Sequence, residues 1–147
     1  MRISWREAAR HFDESVEGRL PDGFVHGTGE NDHVMLLDRY RTLGWPTERD
    51  GRHVDTVDPR PPEDDRTTIL VFPDPAVSVN LFLWAGDEIA FDVDAREIRD
   101  QHTFDAVCRF LARSGRALGK DVDLCPEGTR SPFLRYTART DNVGLCP

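Results

Sequence analysis

Residues 67–94 have the sequence TTILVFPDPAVSVNLFLWAGDEIAFDVD and decide the fold class. Apolar and polar residues alternate over residues 77–84 and again over residues 88–94, with Ala-Gly-Asp at residues 85–87 between them. Two runs of period two joined by a glycine-containing turn are typical of an antiparallel hairpin. The preceding apolar run, residues 67–72, predicts a third strand and therefore a meander.

Two segments have the apolar spacing of helices. The first, residues 5–17, follows Ser4 and Glu7, which have the spacing of a capping box. The second, residues 103–118, is predicted to begin at the cap Thr103 and to end before a glycine.

The first strand of the hairpin carries large apolar residues on both faces. Val79 and Leu81 alternate with Phe82 and Trp84. Such a strand is expected in the middle of a sheet, covered by a helix on at least one side. On the second helix, the small residues Ser114 and Gly115 fall near the predicted buried face and would let the helix approach the sheet closely.

Shorter β-prone runs at residues 24–28, 121–125 and 132–139 extend the predicted sheet. Residues 33–41 form an extended or short helical run, and we prefer a hairpin joined by the loop at residues 29–32. Because strands follow one another along the chain, we predict a single α+β domain covering the whole chain. Its antiparallel sheet is expected to have about five to six strands, with two main helices packed on it.

The chain is strongly acidic, with a formal net charge of −8. Nucleic acid is a poor partner for such a protein, because phosphates attract Lys and Arg, and anionic membranes are disfavoured for the same reason. The charge suits a basic protein partner, with solubility alone as the alternative. Charged residues interrupt the N-terminal segment, and the three cysteines lack Cys-x-x-Cys spacing. We therefore expect a cytoplasmic protein without a signal peptide.

Residues 42–66 form a long acidic, proline-rich stretch without periodicity, apart from a short candidate strand at residues 53–57. A stretch of this kind is a functional loop or a disordered connection. Trp45 is a candidate anchor for a partner, since Trp is favoured at interface hot spots; alternatively, it pins the loop to the body. Asp64 and Asp65 are candidate contacts for a basic partner.

The histidines and cysteines form no recognised ligand pattern. His26 and His33 would bracket the predicted hairpin, but their spacing of seven residues matches no known metal site, and surface loop positions are the alternative. His11 is expected on the solvated face of the first helix. Cys108 is expected to be a buried, inert thiol. Cys125 lies at a strand end and could be exposed, and the neighbouring carboxylates Asp123 and Glu127 would raise its pKa.

Two Asp-x-Asp pairs, Asp92 with Asp94 and Asp121 with Asp123, place carboxylates on one face of a strand. They could bind a divalent cation or divide acid and base roles, but we favour the solvent face of an amphipathic strand. Motifs for phosphate loops, nucleophile elbows and metalloproteases are missing from the sequence. We predict no catalytic residue, no metal site and no cofactor.

The C-terminal half has a recognisable order of segments: F-D-V-D-A-R-E-I at 91–98, F-x-x-x-C-x-F-L at 104–111, G-K-x-V-x-L-x-P-E-G at 119–128 and L-x-Y at 134–136. This order resembles small bacterial proteins of the immunity-protein and YbjN-like secretion-chaperone-like type. The resemblance implies a small, acidic, non-catalytic protein that binds another protein. The long acidic loop departs from that pattern.

The sequence thus favours a protein-binding or accessory domain, immunity- or chaperone-like, in which the acidic loop and the edge formed by Asp92 and Asp94 meet a basic partner. The alternative is a small enzyme or ligand-binding protein with a pocket between the helix at residues 103–118 and the sheet. Its candidate side chains are His26, His33 and Cys125. A homodimer formed through a sheet edge is a third alternative.

Overall fold

The structure is a computed structural model that describes residues 2–49, 52–53, 68–85 and 88–147. Its helices are α1 (Trp5–Ala8), α2 (Glu14–Glu17), α3 (Glu30–Thr42) and α4 (Gln101–Leu118), with 3₁₀ helices at Ala9–Phe12 and Ala95–Glu97. Its strands are β1 (Asp22–Val25), β2 (Thr47–Arg49), β3 (Arg52–His53), β4 (Thr68–Asp74), β5 (Val77–Ala85), β6 (Glu88–Val93), β7 (Val122–Cys125), β8 (Leu134–Thr137) and β9 (Asn142–Leu145).

All the described strands belong to one sheet of order β3-β2-β4-β5-β6-β1-β7-β8-β9. Every pairing is antiparallel, which confirms the α+β class and the hairpin of β5 and β6. Strand β5 lies inside the sheet, as its two apolar faces predicted. The sheet has nine described strands, more than the expected five to six. The additional ones have two to four residues, too few for a period of two to stand out.

Helix α4 packs on one face of the sheet. The Phe110 ring lies 4.9 Å from that of Phe91, centroid to centroid, in an edge-to-face arrangement. Ser114 and Gly115 lie on this buried face, as predicted. A Cβ atom at position 115 would lie 2.1 Å from a ring carbon of Tyr136. Glycine is therefore what allows α4 to lie so close to β8.

The preferred hairpin at residues 33–41 is wrong, because this segment forms helix α3. Its buried residues His33, Leu36, Leu37 and Tyr40 recur at helical spacing. At its start, the Asp32 carboxylate accepts hydrogen bonds from the Gly29 amide (2.8 Å) and from Lys120 Nζ (2.5 Å). Helix α3 packs beside α4, where the Tyr40 and Ser114 hydroxyls share a buried hydrogen bond of 2.5 Å.

The predicted first helix is broken into three short pieces, α1, a 3₁₀ turn and α2. Ser4 caps α1 as predicted, but its hydroxyl accepts from the Arg6 amide and not from the Glu7 amide of the expected capping box, which donates to the Ser4 backbone oxygen. Asp13 then ends the 3₁₀ turn and caps α2 by accepting from the Ser15 amide. The 3₁₀ turn carries His11 inward, where its ring stacks on Phe133 with centroids 4.6 Å apart. His11 is therefore buried, not solvated as expected.

Helix α4 begins at Gln101, two residues earlier than predicted. The cap is Asp100, whose carboxylate accepts from the Thr103 amide at 2.9 Å. Thr103 is the third helical residue and closes a reciprocal capping box. The end of the helix is as predicted, with Gly119 in the left-handed region at φ 66°.

None of the helices that the structure describes is long and apolar enough to cross a membrane.

Candidate functional site

The sheet face opposite α4 carries a set of polar and charged side chains. Because side chains alternate along each strand, residues in register across neighbouring strands share a face. We call this face the open face. Its described members on β5, β6, β1, β7 and β8 include Asn80, Phe82, Glu88, Ala90, Asp92, Asp22, Phe24, Asp123, Cys125 and Arg135.

Asp92 lies in the middle of the open face and is 7% exposed, which corrects the expectation that it faces solvent at an edge. Its strand, β6, is paired on both edges, with β5 and with β1. Asn80 Nδ2 donates to Asp92 Oδ1 at 2.8 Å, and Asp22 lies directly opposite on β1. Burial raises the pKa of Asp92; the Asn80 hydrogen bond opposes this, and the nearby carboxylates Asp22 and Glu127 raise the pKa further.

Asp94 has a different environment from Asp92. Its carboxylate forms an ion pair with Arg96 (2.8 Å) and caps the 3₁₀ helix by accepting from the Arg96 amide (3.0 Å). The hydrogen bond from the Arg96 side chain lowers the pKa of Asp94. The two carboxylates are therefore not an equivalent pair.

The remaining predicted partner residues lie elsewhere. The indole of Trp45 stacks on the Tyr40 ring at 5.4 Å and on the Phe110 ring at 6.4 Å. This packing supports the alternative in which Trp45 pins its segment to the body. Asp64 and Asp65 lie outside the described residues, as does most of the candidate strand at residues 53–57.

Sequence reasoning missed a cluster formed by His26, Asp123 and Arg135. His26 Nε2 donates to Asp123 Oδ2 at 2.6 Å, and Arg135 donates to both carboxylate oxygens, at 2.5 and 3.0 Å. Burial alone would raise the pKa of Asp123, but the hydrogen bonds from Arg135 and His26 hold it below its usual value. A buried, ionised carboxylate therefore fixes the orientation of a half-exposed imidazole.

A groove of about 330 Å³ lies beside this cluster, lined by Phe24, Val25, His26, Gly27, Glu88, Asp123 and Arg130. The Arg130 guanidinium carbon lies 3.8 Å from the centroid of the Phe24 ring. Arg130 Nη1 lies 2.8 Å from Glu88 Oε1. The groove thus combines an aromatic floor with carboxylates on its walls, and no hydroxyl or thiol side chain is among these lining residues.

The other candidate side chains do not join the groove lining. His33 is buried within α3, so the hairpin that was to bring it opposite His26 does not exist. Cys125, which its place at a strand end could have exposed, is buried, and burial, with Asp123 and Asp22, raises its pKa to about 11. Burial raises the pKa of Cys108 to about 12, in line with an inert thiol. Both thiols are protonated at neutral pH and are poor nucleophiles.

Among the residues that the structure describes, no group of three His, Cys, Asp or Glu side chains is arranged to hold a metal ion. No protein-family model matches the chain, and no curated protein is similar to it. Any inference about function therefore depends on the open face and the groove.

Proposed function

We propose that the chain is a non-catalytic protein-binding or accessory domain, and that its open face binds a basic partner protein. The observation that carries this proposal is the buried Asp92, which lies directly opposite Asp22 on the neighbouring strand of the open face. Like charges held together on one face are unfavourable in the free protein. A cationic partner surface relieves that repulsion and is steered towards it.

Two further features support this class of function. The net charge of −8 extends the attraction beyond the open face. The order of segments from residue 91 to residue 136 resembles that of immunity- and chaperone-like proteins, which act by binding another protein. We place its action in the cytoplasm, since Cys108, Cys125 and Cys146 are free thiols.

Affinity capture with matched variants tests the proposal. The variant Asp22→Asn with Glu127→Gln removes two charges but keeps their acceptor oxygens, which hold the Gly128 and Leu20 amides. The control, Glu7→Gln with Asp38→Asn, removes the same number of charges from exposed positions on α1 and α3. We expect a basic protein to be retained by the wild type and the control at low salt, and to be lost by the double variant at Asp22 and Glu127.

Thermal unfolding of each variant checks that the fold is intact. Capture that is equal for the double variant and the control, or that persists unchanged at high salt, would contradict binding through the open face.

A small enzyme or ligand-binding protein is the second candidate, favoured by the 2.6 Å hydrogen bond that orients His26 on Asp123. Its site would be the groove, and not the contact between α4 and the sheet, which buried side chains such as Phe110 and Leu111 occupy. Titration of isotope-labelled protein with a metabolite set, monitored at the His26 ring, would distinguish this candidate. A compound that shifts the His26 resonances at micromolar concentration would favour it over protein binding.

A further inference from the structure

We propose that Phe24 and Glu88, on the floor and wall of the groove, form a subsite for one arginine side chain of the basic partner, and that Arg130 occupies this subsite in the free protein. This inference rests on the proposed function and names the chemistry that the partner must present. Its evidence is the environment of Arg130 itself.

The groove matches a guanidinium group in both shape and charge. The guanidinium carbon of Arg130 lies over the Phe24 ring, 3.8 Å from its centroid, which is within the range of a cation–π contact. Its Nη1 atom forms an ion pair with the Glu88 carboxylate at 2.8 Å. A planar guanidinium stacks and donates at the same time, whereas the compact ammonium of lysine does not. The site is therefore selective for arginine.

Arg130 is held loosely enough to be displaced. Its side chain is 68% exposed, and it belongs to the connection between β7 and β8. Exposed ion pairs contribute little to stability, so moving Arg130 aside has a small cost. Once it moves, Glu88 and the buried Asp123 are the carboxylates that remain on the groove walls, beside His26.

The groove also lies next to the acidic part of the open face. Strand β1 carries Asp22 towards the acidic residues around Asp92 and carries Phe24 into the groove, two residues further along the same face. A basic segment lying across β1 would meet both. The arginine subsite would then fix the position of a partner that the general acidity attracts.

When Arg130 competes for the subsite, a ligand can bind only the fraction of molecules in which the subsite is empty, and the apparent affinity is lowered in proportion to that fraction. Removing the Arg130 guanidinium should therefore tighten arginine binding about threefold to tenfold. The probes are hexa-arginine and hexa-lysine peptides, with binding followed by fluorescence anisotropy at low salt. The variant Arg130→Gln is matched by Arg139→Gln, which makes the same charge change at another exposed position.

We expect Arg130→Gln to bind hexa-arginine more tightly than Arg139→Gln does, with a smaller difference for hexa-lysine. Glu88→Gln and Phe24→Leu should weaken hexa-arginine binding more than hexa-lysine binding. Glu88→Gln is the safer variant for folding, and thermal unfolding checks both.

The outcomes separate this inference from the proposed function. Equal binding of the two peptides, with no difference between Arg130→Gln and Arg139→Gln, would overturn the subsite and leave the acidic open face as the binding surface. Weaker binding by Arg130→Gln would overturn it as well, since Arg130 would then contact the peptide directly or hold the groove together. Failure of both peptides to bind any variant would overturn the subsite and the proposed function together.

Discussion

The Gly115→Ala variant tests how closely α4 lies against the sheet. A Cβ atom at this position would lie 2.1 and 2.4 Å from two ring carbons of Tyr136 and 2.8 Å from the backbone oxygen of Lys120. The ring has little room to move, since Tyr136 is buried and its hydroxyl donates to Asp141 at 2.8 Å. The backbone oxygen cannot move without distorting the end of the helix.

Two effects of opposite sign compete in this variant. Alanine inside a helix is favoured over glycine by about 1 kcal/mol. Forcing an extra methyl group into a packed core costs about 1–3 kcal/mol, and this contact involves both a ring and the backbone, which places it at the upper end. We therefore expect a net loss of about 1–2 kcal/mol in the free energy of unfolding for Gly115→Ala, and a Tm lower by several degrees.

Gly144→Ala is the matched control, because a Cβ atom at Gly144 in β9 has no neighbour within 4 Å. Gly144→Ala should stabilise the protein by about 0.5–1 kcal/mol, because glycine loses more conformational freedom on folding than alanine does. Urea unfolding followed by far-ultraviolet circular dichroism measures both variants. If Gly115→Ala proves as stable as Gly144→Ala, the close approach of α4 to β8 is refuted.

Three further predictions concern buried polar groups. Asp92→Asn should stabilise the protein by about 0.2–1 kcal/mol at pH 7, because it removes the repulsion between Asp92 and Asp22 on the opposite strand. The gain should fade as the pH falls, because the raised pKa of Asp92 means that acid protonates the wild-type carboxylate and removes the same repulsion. Urea unfolding that shows a constant gain down to pH 3 would contradict this. Tyr40→Phe and Ser114→Ala should each lower the free energy of unfolding by about 1–2 kcal/mol, because each leaves the other buried hydroxyl without its partner. The double variant should lose less than the sum of the two single losses, and additive losses in the same assay would contradict the hydrogen bond. Cys125, with a pKa of about 11, should react with iodoacetamide at pH 8 far more slowly in the folded protein than in denaturant, as mass spectrometry would show, and equal rates would refute its burial.

The parts of the fold that sequence predicted are those with long, regular patterns. The hairpin of β5 and β6 has alternation over both of its strands, and α4 has an apolar stripe over 18 residues. These patterns are set by local geometry, so a single sequence shows them. The role of Gly115 was also predictable, because it lies on that stripe.

Local ambiguity explains the errors. In α3 the contiguous apolar residues 34–37 suit a strand as well as a helix, and the helical spacing from His33 to Tyr40 decides only when the whole segment is considered. The prediction of an unbroken first helix is wrong for a different reason. Asp13 is an effective cap and competes with helix continuation, so it starts a new turn where the stripe predicted an unbroken helix.

The candidate site could not be predicted from the sequence, because it depends on the order of the strands in the sheet. Strand β1 inserts between β6 and β7, which lie far from it along the chain. This insertion buries Asp92, which would otherwise lie at an edge, and it brings His26 to Asp123. Neither contact has a local signature, because each joins segments that lie far apart in the sequence.

The same insertion makes β1 the strand on which both proposals depend. Asp22 and Phe24 on β1, and His26 directly after it, contribute to the acidic part of the open face, the floor of the groove and the pair with Asp123. A shift of one residue in the pairing register of β1 would turn all three side chains towards the face on which α4 packs. Gly23 prevents this, because the Phe91 ring would lie 2.0 Å from any Cβ atom at that position. Of the β1 residues, only the glycine fits beneath that ring, so core packing on one face of the sheet fixes which side chains the other face presents to a partner.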